Sequence, residues 1–285
     1  MKKYPIKTFK RDFLFIDSFV TIKGSRQKKL VTDRNNEKAI FKYERSDYLC
    51  SEACSEKLSY EIALFLGYEC ARIELAMDNN QKLGILNYLF LDKDVAEHMD
   101  AVVYLNTKNE AREKYYNISN IKQCLDNLNE SLFKDFIKIM IFDALVGEQD
   151  RHEENWGVQN IRGNYKLSPL YDNGCNLLRE FKNEKLAEQY YNGQKDFEAY
   201  IRRSQTIIYK DNSNKKFKHF ELVEYLNKLY HDDVQPELVK LRKLTNVNIE
   251  KIVNKIPNNL LTQKHKEYII LYLIKRRDIL LNMID

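Results

Sequence analysis

The chain has 285 residues, with 47 basic and 42 acidic side chains, a formal surplus of five positive charges, and 44% hydrophobic residues. That size and balance suit a soluble two-lobed globular enzyme that buries a sizeable core, and they exclude a disordered or fibrous chain. The surplus reads as spread along the chain and argues against direct nucleic-acid binding; its densest stretch, Lys210 to Lys218, reads as a solvated loop face.

Cysteine usage points to a reducing compartment. The five cysteines (Cys50, Cys54, Cys70, Cys124 and Cys175) form no Cys-x-x-Cys pair, and His98, His219, His231 and His265 are dispersed, so neither a zinc site nor a redox motif is expected. The basic start is followed by Phe13 to Val20, which is short and contains Asp17, unlike a signal peptide. The longest apolar run, Phe136 to Val146, carries Lys138 and Asp143 and is too short to span a bilayer. A cytoplasmic protein without a membrane partner is the expectation.

In chain order, residues 13–43 are rich in Phe, Val, Ile and Thr, broken by Lys23-Gly24-Ser25 and Asp33-Arg34-Asn35-Asn36, which predicts short strands joined by turns. From Ser51 the apolar period lengthens, with Leu58, Ile62, Ala63 and Leu66 on one face and Gly67 at a left-handed cap, predicting a helix of about 15 residues. Two strand-like runs follow, Cys70 to Ala76 and Lys82 to Leu91, parted by Asp78-Asn79-Asn80. Beyond Asp92 helical patterns dominate. Ser131 is placed to cap a helix that ends at Val146 and Gly147, and the apolar segment around Tyr268 to Leu280 docks as a final helix. The fold class is α+β with two lobes, residues 1–92 forming a small antiparallel sheet with one helix and residues 93–285 a larger, mostly helical lobe.

Phosphoryl transfer needs a carboxylate near the incoming hydroxyl, hard oxygen ligands for magnesium, and a lysine or backbone cradle for the phosphates. Asp150 and Asn155 stand five apart in Asp-Arg-His-Glu-Glu-Asn, the offset at which a kinase catalytic loop places its base and its metal-binding amide. Seventeen residues after Asn155, Asp172-Asn173-Gly174 follows Pro169-Leu170-Tyr171. In the first lobe, Lys42 sits on the best strand pattern, Ala39 to Tyr43.

The runs DALVGEQDRHEENWGV and LSPLYDNGCNL resemble the HipA-like kinases, a bacterial family distantly similar to phosphoinositide and protein kinases, and the likeness runs from about Lys23 to Asn176. The resemblance implies a protein-kinase-like fold, ATP and magnesium as cofactors, and transfer of the γ-phosphate to a protein Ser or Thr hydroxyl. It assigns Asp150 as catalytic base, His152 as the residue that orients the loop, Asn155 and Asp172 as metal ligands, and Lys42 as the phosphate lysine. Glu56 is the implied partner of Lys42, with Glu52 as the other choice.

Gly24, Ser25, Gln27 and Lys28 resemble the family's phosphate-covering loop. Phe90 and Leu91 lie where adenine meets the connection between lobes, with backbone donors and acceptors near Tyr88 to Leu91. Ser25 falls at the family's autophosphorylated serine, a turn residue being the other reading. The family also implies a toxin of a toxin–antitoxin pair, a translation component as protein substrate, and a helix-turn-helix antitoxin as partner. The chain starts almost directly at the phosphate-binding lobe, so antitoxin docking and the target stay open here. A lipid or small-molecule kinase, or a nucleotide-binding pseudokinase module, would share the same loop.

Overall fold

A computed structural model describes residues 1–12, 14–17, 27–44, 50–90, 95–105, 111–179, 181 and 184–285. The first strands are β1 (Ile6–Thr8), β2 (Phe15–Ile16), β3 (Lys28–Thr32) and β4 (Lys38–Tyr43), followed by helix α1 (Glu52–Leu66) and strands β5 (Ile73–Met77) and β6 (Leu83–Tyr88). The six strands form one sheet in the order β1-β5-β6-β4-β3-β2. It is antiparallel except at one edge: β1, which lies in the basic start where no strand was expected, pairs parallel with β5.

Alternation along β4 sorts its side chains between two faces. Ala39 and Phe41 join Phe9, Val31 and Leu86 in a small core on one side of the sheet. Ile40 and Lys42 take the other side, where α1 packs on β5 and β6. As the sequence pattern predicts, α1 runs 15 residues from the Ser51 cap to Gly67, whose φ of 79° lies in the left-handed region that glycine adopts without strain.

The rest of the chain begins with β7 (Val95–Asp100); the expected lobe boundary at 92/93 falls outside the described residues. Short helices α2 (Ala101–Tyr104) and α3 (Arg112–Tyr115) lead to α4 (Ile118–Asp126) and α5 (Leu132–Val146). Strands β8 (Gly157–Ile161) and β9 (Asn164–Leu167) join β7 in a three-stranded antiparallel sheet. Helices α6 (Glu184–Tyr191) and α7 (Phe197–Arg202) follow, then a hairpin of β10 (Gln205–Tyr209) and β11 (Lys216–Lys218). Four helices close the fold: α8 (His219–Leu229), α9 (His231–Lys240), α10 (Asn246–Val253) and α11 (Gln263–Leu281).

The helical pattern overshadowed these later strands. The stretch read as a solvated loop, Lys210 to Lys218, contains β11, because Phe217 turns inward while its lysine neighbours face out. Helix α5 is buried over most of its length and ends at Gly147 with φ 76°. A side chain there would also meet the Tyr272 hydroxyl of α11 at 2.0 Å from its Cβ. Arg276 of α11 donates from Nε to the Ala144 carbonyl at 2.7 Å, so the final helix docks directly beneath the loop that follows α5. All five cysteines are free. Among the described residues no helix is long and apolar enough to cross a membrane.

Candidate active site

The loop after α5 is organised by Arg151. Its buried guanidinium makes five hydrogen bonds: Nε and Nη2 reach the two Asp143 carboxylate oxygens at 3.0 and 2.8 Å, Nη1 reaches the carbonyls of Asn155 and Tyr171 at 2.9 Å each, and Nη2 also donates to Asn173 Oδ1. One side chain therefore ties the last turns of α5 to both halves of the motif, Asp150–Asn155 and Tyr171–Asn173. Burial raises the Asp143 carboxyl, and the guanidinium opposes that rise; the two-pronged contact favours the charged pair.

A second buried carboxylate completes the loop. Glu148 accepts from the Asp150 and Cys175 backbone N–H groups at 3.0 and 3.2 Å and from Asn176 Nδ2 at 3.0 Å. Its removal from water pushes its pKa up to about 8. Asn176 in turn holds α1: Ser55 Oγ donates to Asn176 Oδ1 at 2.7 Å, and Asn176 Nδ2 donates to Ser59 Oγ at 2.9 Å. Gly174 is required by the same docking, since a Cβ there would lie 2.7 Å from Glu52 Oε1.

These contacts present the residues singled out in the sequence. Asp150 is exposed, with the Cys175 thiol 3.7 Å from its Oδ2. Asn155 is buried and donates from Nδ2 to the Asp150 carbonyl at 2.7 Å, which fixes the amide with Oδ1 as its remaining coordinating atom. Asp172 has φ 54°, a conformation that Asp tolerates better than most side chains and that tends to collect at functional sites. Its Oδ1 lies 2.8 Å from Lys42 Nζ, while Glu56 Oε1 of α1 lies 3.5 Å from the same nitrogen. Lys42, Glu56 and Asp172 thus meet in one place. Glu52, the other choice of partner, lies against Gly174.

Lys28 stands directly opposite Lys42 in the β3–β4 register, so the two lysines share the α1 side of the sheet. Gln27 bonds through its backbone, accepting from the Tyr43 N–H at 3.4 Å. His152 accepts from the Glu154 N–H at 3.2 Å, a local turn contact, whereas Arg151 carries the bonds that fix the loop. Phe90 packs with Tyr171 and His98, ring centroids 5.5 and 5.4 Å apart, beside the Asp172 turn. The N–H groups of Tyr88 and Leu89 are already engaged, by the carbonyls of Arg72 and Lys38, so that part of the expected adenine-facing backbone is used by the sheet. Gly24, Ser25 and Leu91 lie outside the described residues.

Asp143, Glu148 and Asn176, all central to this network, were not singled out as functional from sequence. One signal was present: Asp143 interrupts the most apolar helix of the chain, and a carboxylate in such a run demands a buried partner.

A lysine and a helix glutamate on the sheet side, joined to an Asp-x-Gly turn that is tied to an Asp–Asn loop, is the protein-kinase-like arrangement. The sequence matches the HipA-like C-terminal domain over residues 20–221, and the chain belongs to that family. It is 24% identical over 198 residues to the serine/threonine-protein kinase CtkA of Helicobacter pylori, an alignment covering 65% of this chain and 59% of that protein. The crystal structure of the Helicobacter pylori proinflammatory kinase CtkA superposes with a TM-score of 0.79 at 22% identity, covering 98% of both chains. The Shewanella oneidensis toxin–antitoxin protein HipA, solved with HipB and operator DNA, gives 0.57 at 12% identity over 96% of this chain and 68% of that one.

Proposed function

We propose that the chain is a serine/threonine protein kinase that moves the γ-phosphate of ATP to a protein hydroxyl, with residues 1–92 as the nucleotide lobe and 93–285 as the catalytic lobe. The observation that carries this reading is the convergence of Lys42, Glu56 and Asp172, joined through the buried Arg151 network to Asp150 and Asn155. Asp150 takes the proton of the acceptor hydroxyl as its oxygen attacks the γ-phosphorus and ADP departs. Lys42, steered by Glu56, meets the phosphates, with Lys28 beside it and Gly24, Ser25 and Gln27 in the covering segment. Phe90 and Leu91 border the adenine.

Asn155 Oδ1 and the Asp172 carboxylate are hard oxygen donors that fit magnesium, and they are the residues that would hold it. Bound there, the ion neutralises charge that develops on the phosphates. His152, beside Asp150, is proposed to support the loop's turn. Ser25 is the proposed autophosphorylation position. By analogy with the Shewanella HipA complex, a DNA-binding antitoxin is the proposed partner, and a translation component the proposed target.

The test is mass spectrometry of the protein after incubation with magnesium and ATP, comparing wild type with Asp150→Ala. Phosphoserine or phosphothreonine in the wild type, reduced at least about a hundredfold in the variant, is expected. Full activity in Asp150→Ala would remove its assigned role. Phosphate carried only to a lipid or small molecule would reassign the acceptor.

A further inference from the structure

The positive surplus is spread over several stretches of the chain, Met1 to Arg11 among them, and one share of it is gathered in a single hairpin. Residues 202–218 hold Arg202, Arg203, Lys210, Lys215, Lys216 and Lys218 against the single acid Asp211, a surplus of five. This segment is the β10–β11 hairpin with its approach. Arg202 pairs with Glu198 and Lys210 with Glu221. Arg203, Lys215, Lys216 and Lys218 make no ion pair among the described residues.

Period-two alternation gathers the charge on one side. Thr206, Ile208 and Phe217 are buried, whereas Gln205, Tyr209, Lys216 and Lys218 face outward, with Gln205 opposite Lys218 and Tyr209 opposite Lys216. A groove of about 680 Å³ runs between these lysines, Tyr209 and Asn214.

The base of the hairpin is fastened to the catalytic loop. His219, the residue after β11, donates from Nε2 to the Glu148 carbonyl at 2.6 Å and receives Ser204 Oγ at Nδ1, 3.0 Å away. Glu148 holds the Asp150 N–H. Tyr209 at the far end of β10 donates its N–H to the Tyr116 carbonyl at 2.9 Å, and the Tyr116 hydroxyl bonds the Arg151 carbonyl. Both ends of β10 are thus seated on residues that hold the loop.

We propose that the outward face of the β10–β11 hairpin, through Lys215, Lys216 and Lys218, docks an acidic segment of the phosphoacceptor protein beside Asp150. The inference rests on the kinase reading and adds a substrate class to it. At the strand rise, residues 215–218 span about 10 Å, which suits a short run of Asp and Glu in an extended partner. A nucleic-acid track fits less well: the outward face offers one ring, Tyr209, and Lys216 already lies 5.6 Å from its centroid, so there is no series of stacking surfaces.

The test is fluorescence anisotropy with the full chain and a labelled peptide bearing one serine flanked by Asp and Glu. Wild type is compared with the triple variant Lys215→Ala, Lys216→Ala, Lys218→Ala, and with a charge-matched control, Lys2→Ala, Lys185→Ala, Lys251→Ala. Affinity should fall about tenfold in the hairpin variant and less than twofold in the control, and wild-type affinity should fall with added salt. Equal losses in both triples, or no loss, overturn the docking surface. A single-stranded oligonucleotide of the same charge that binds as tightly as the peptide overturns it in favour of nucleic acid. Phosphate incorporation into the same peptide is scored separately: hairpin-dependent binding without phosphorylation sinks the kinase reading, and phosphorylation without hairpin dependence sinks the docking proposal.

Discussion

On the loop side of the site, Asp150 and Asn155 rest on buried hydrogen bonds, five of them from Arg151, whereas the sheet side reaches the same point through the ion pairs of Lys42 with Glu56 and Asp172. Hydrogen bonds among fully buried groups exclude water and leave few alternative arrangements, so the loop wall is set before any ligand arrives. The contacts of Lys42 are charge on charge, and under the proposed function arriving phosphates replace the half-exposed Asp172 carboxylate. One wall is preorganised, and under the same proposal the other is reset by the nucleotide. Stability should therefore respond to changes in the first wall and turnover to changes in the second.

Arg151→Met should produce the largest effect. It strands Asp143 in the core and removes all five bonds, so unfolding in urea should show a loss of about 3–5 kcal/mol. A loss under about 1 kcal/mol would mean that the loop is held by something else. Lys42→Met probes the opposite wall. It should lower phosphate transfer by about 10²–10³, while the urea midpoint falls by less than in Arg151→Met, because the contact with the buried Glu56 is long, 3.5 Å. A midpoint that falls as far as in Arg151→Met would erase the contrast between the walls.

The buried titrating groups beside Asp150 sharpen the comparison through pH. Burial holds Glu148 up at about 8 from 4.5, and burial together with the Arg276 charge holds His219 down at about 3 from 6.5. The raised acid contributes stability that is complete below 4.5 and lost as pH climbs through about 8. The lowered histidine contributes stability that is complete above 6.5 and lost as pH falls through about 3. Their slopes cancel between 4.5 and 6.5, which leaves an alkaline decline of about 2 kcal/mol between 6.5 and 8 that belongs to Glu148. Glu148→Gln should flatten that decline in urea titrations across this range; a variant that declines as steeply as wild type would detach it from Glu148.

How far the sequence discloses this site follows from where each constraint lies. The caps Gly67 and Gly147 are legible because a left-handed residue is a local requirement, and both helices end where they are expected. Asp150, Asn155 and Asp172 are legible because motif spacing survives in one dimension. Asn176, Ser55 and Ser59 are not: their bonds join positions more than a hundred residues apart, and each looks like a turn or surface residue alone. The strands β7 to β11 are short and half-apolar, so the helical periods around them dominate any window. His219, one of the dispersed histidines, is a satisfied core residue, bonded at both ring nitrogens, and nothing local in the sequence marks it as such.

Ser55→Ala carries the smallest expected effect and the finest distinction. Ser55 is the α1 hydroxyl that bonds both the carbonyl and the side-chain oxygen of Asn176, at 3.0 and 2.7 Å, and Asn176 bonds Glu148, which holds the Asp150 N–H. The same helix carries Glu56 toward Lys42, so Ser55 lies where the two walls meet. Loss of one buried hydroxyl should cost about 1 kcal/mol. If the walls are coupled through α1, turnover should fall with it by several fold, with no change in the affinity of the acceptor peptide. If stability falls and turnover holds, α1 merely packs against the loop, and the sheet wall is set by Lys42 and its ion pairs alone.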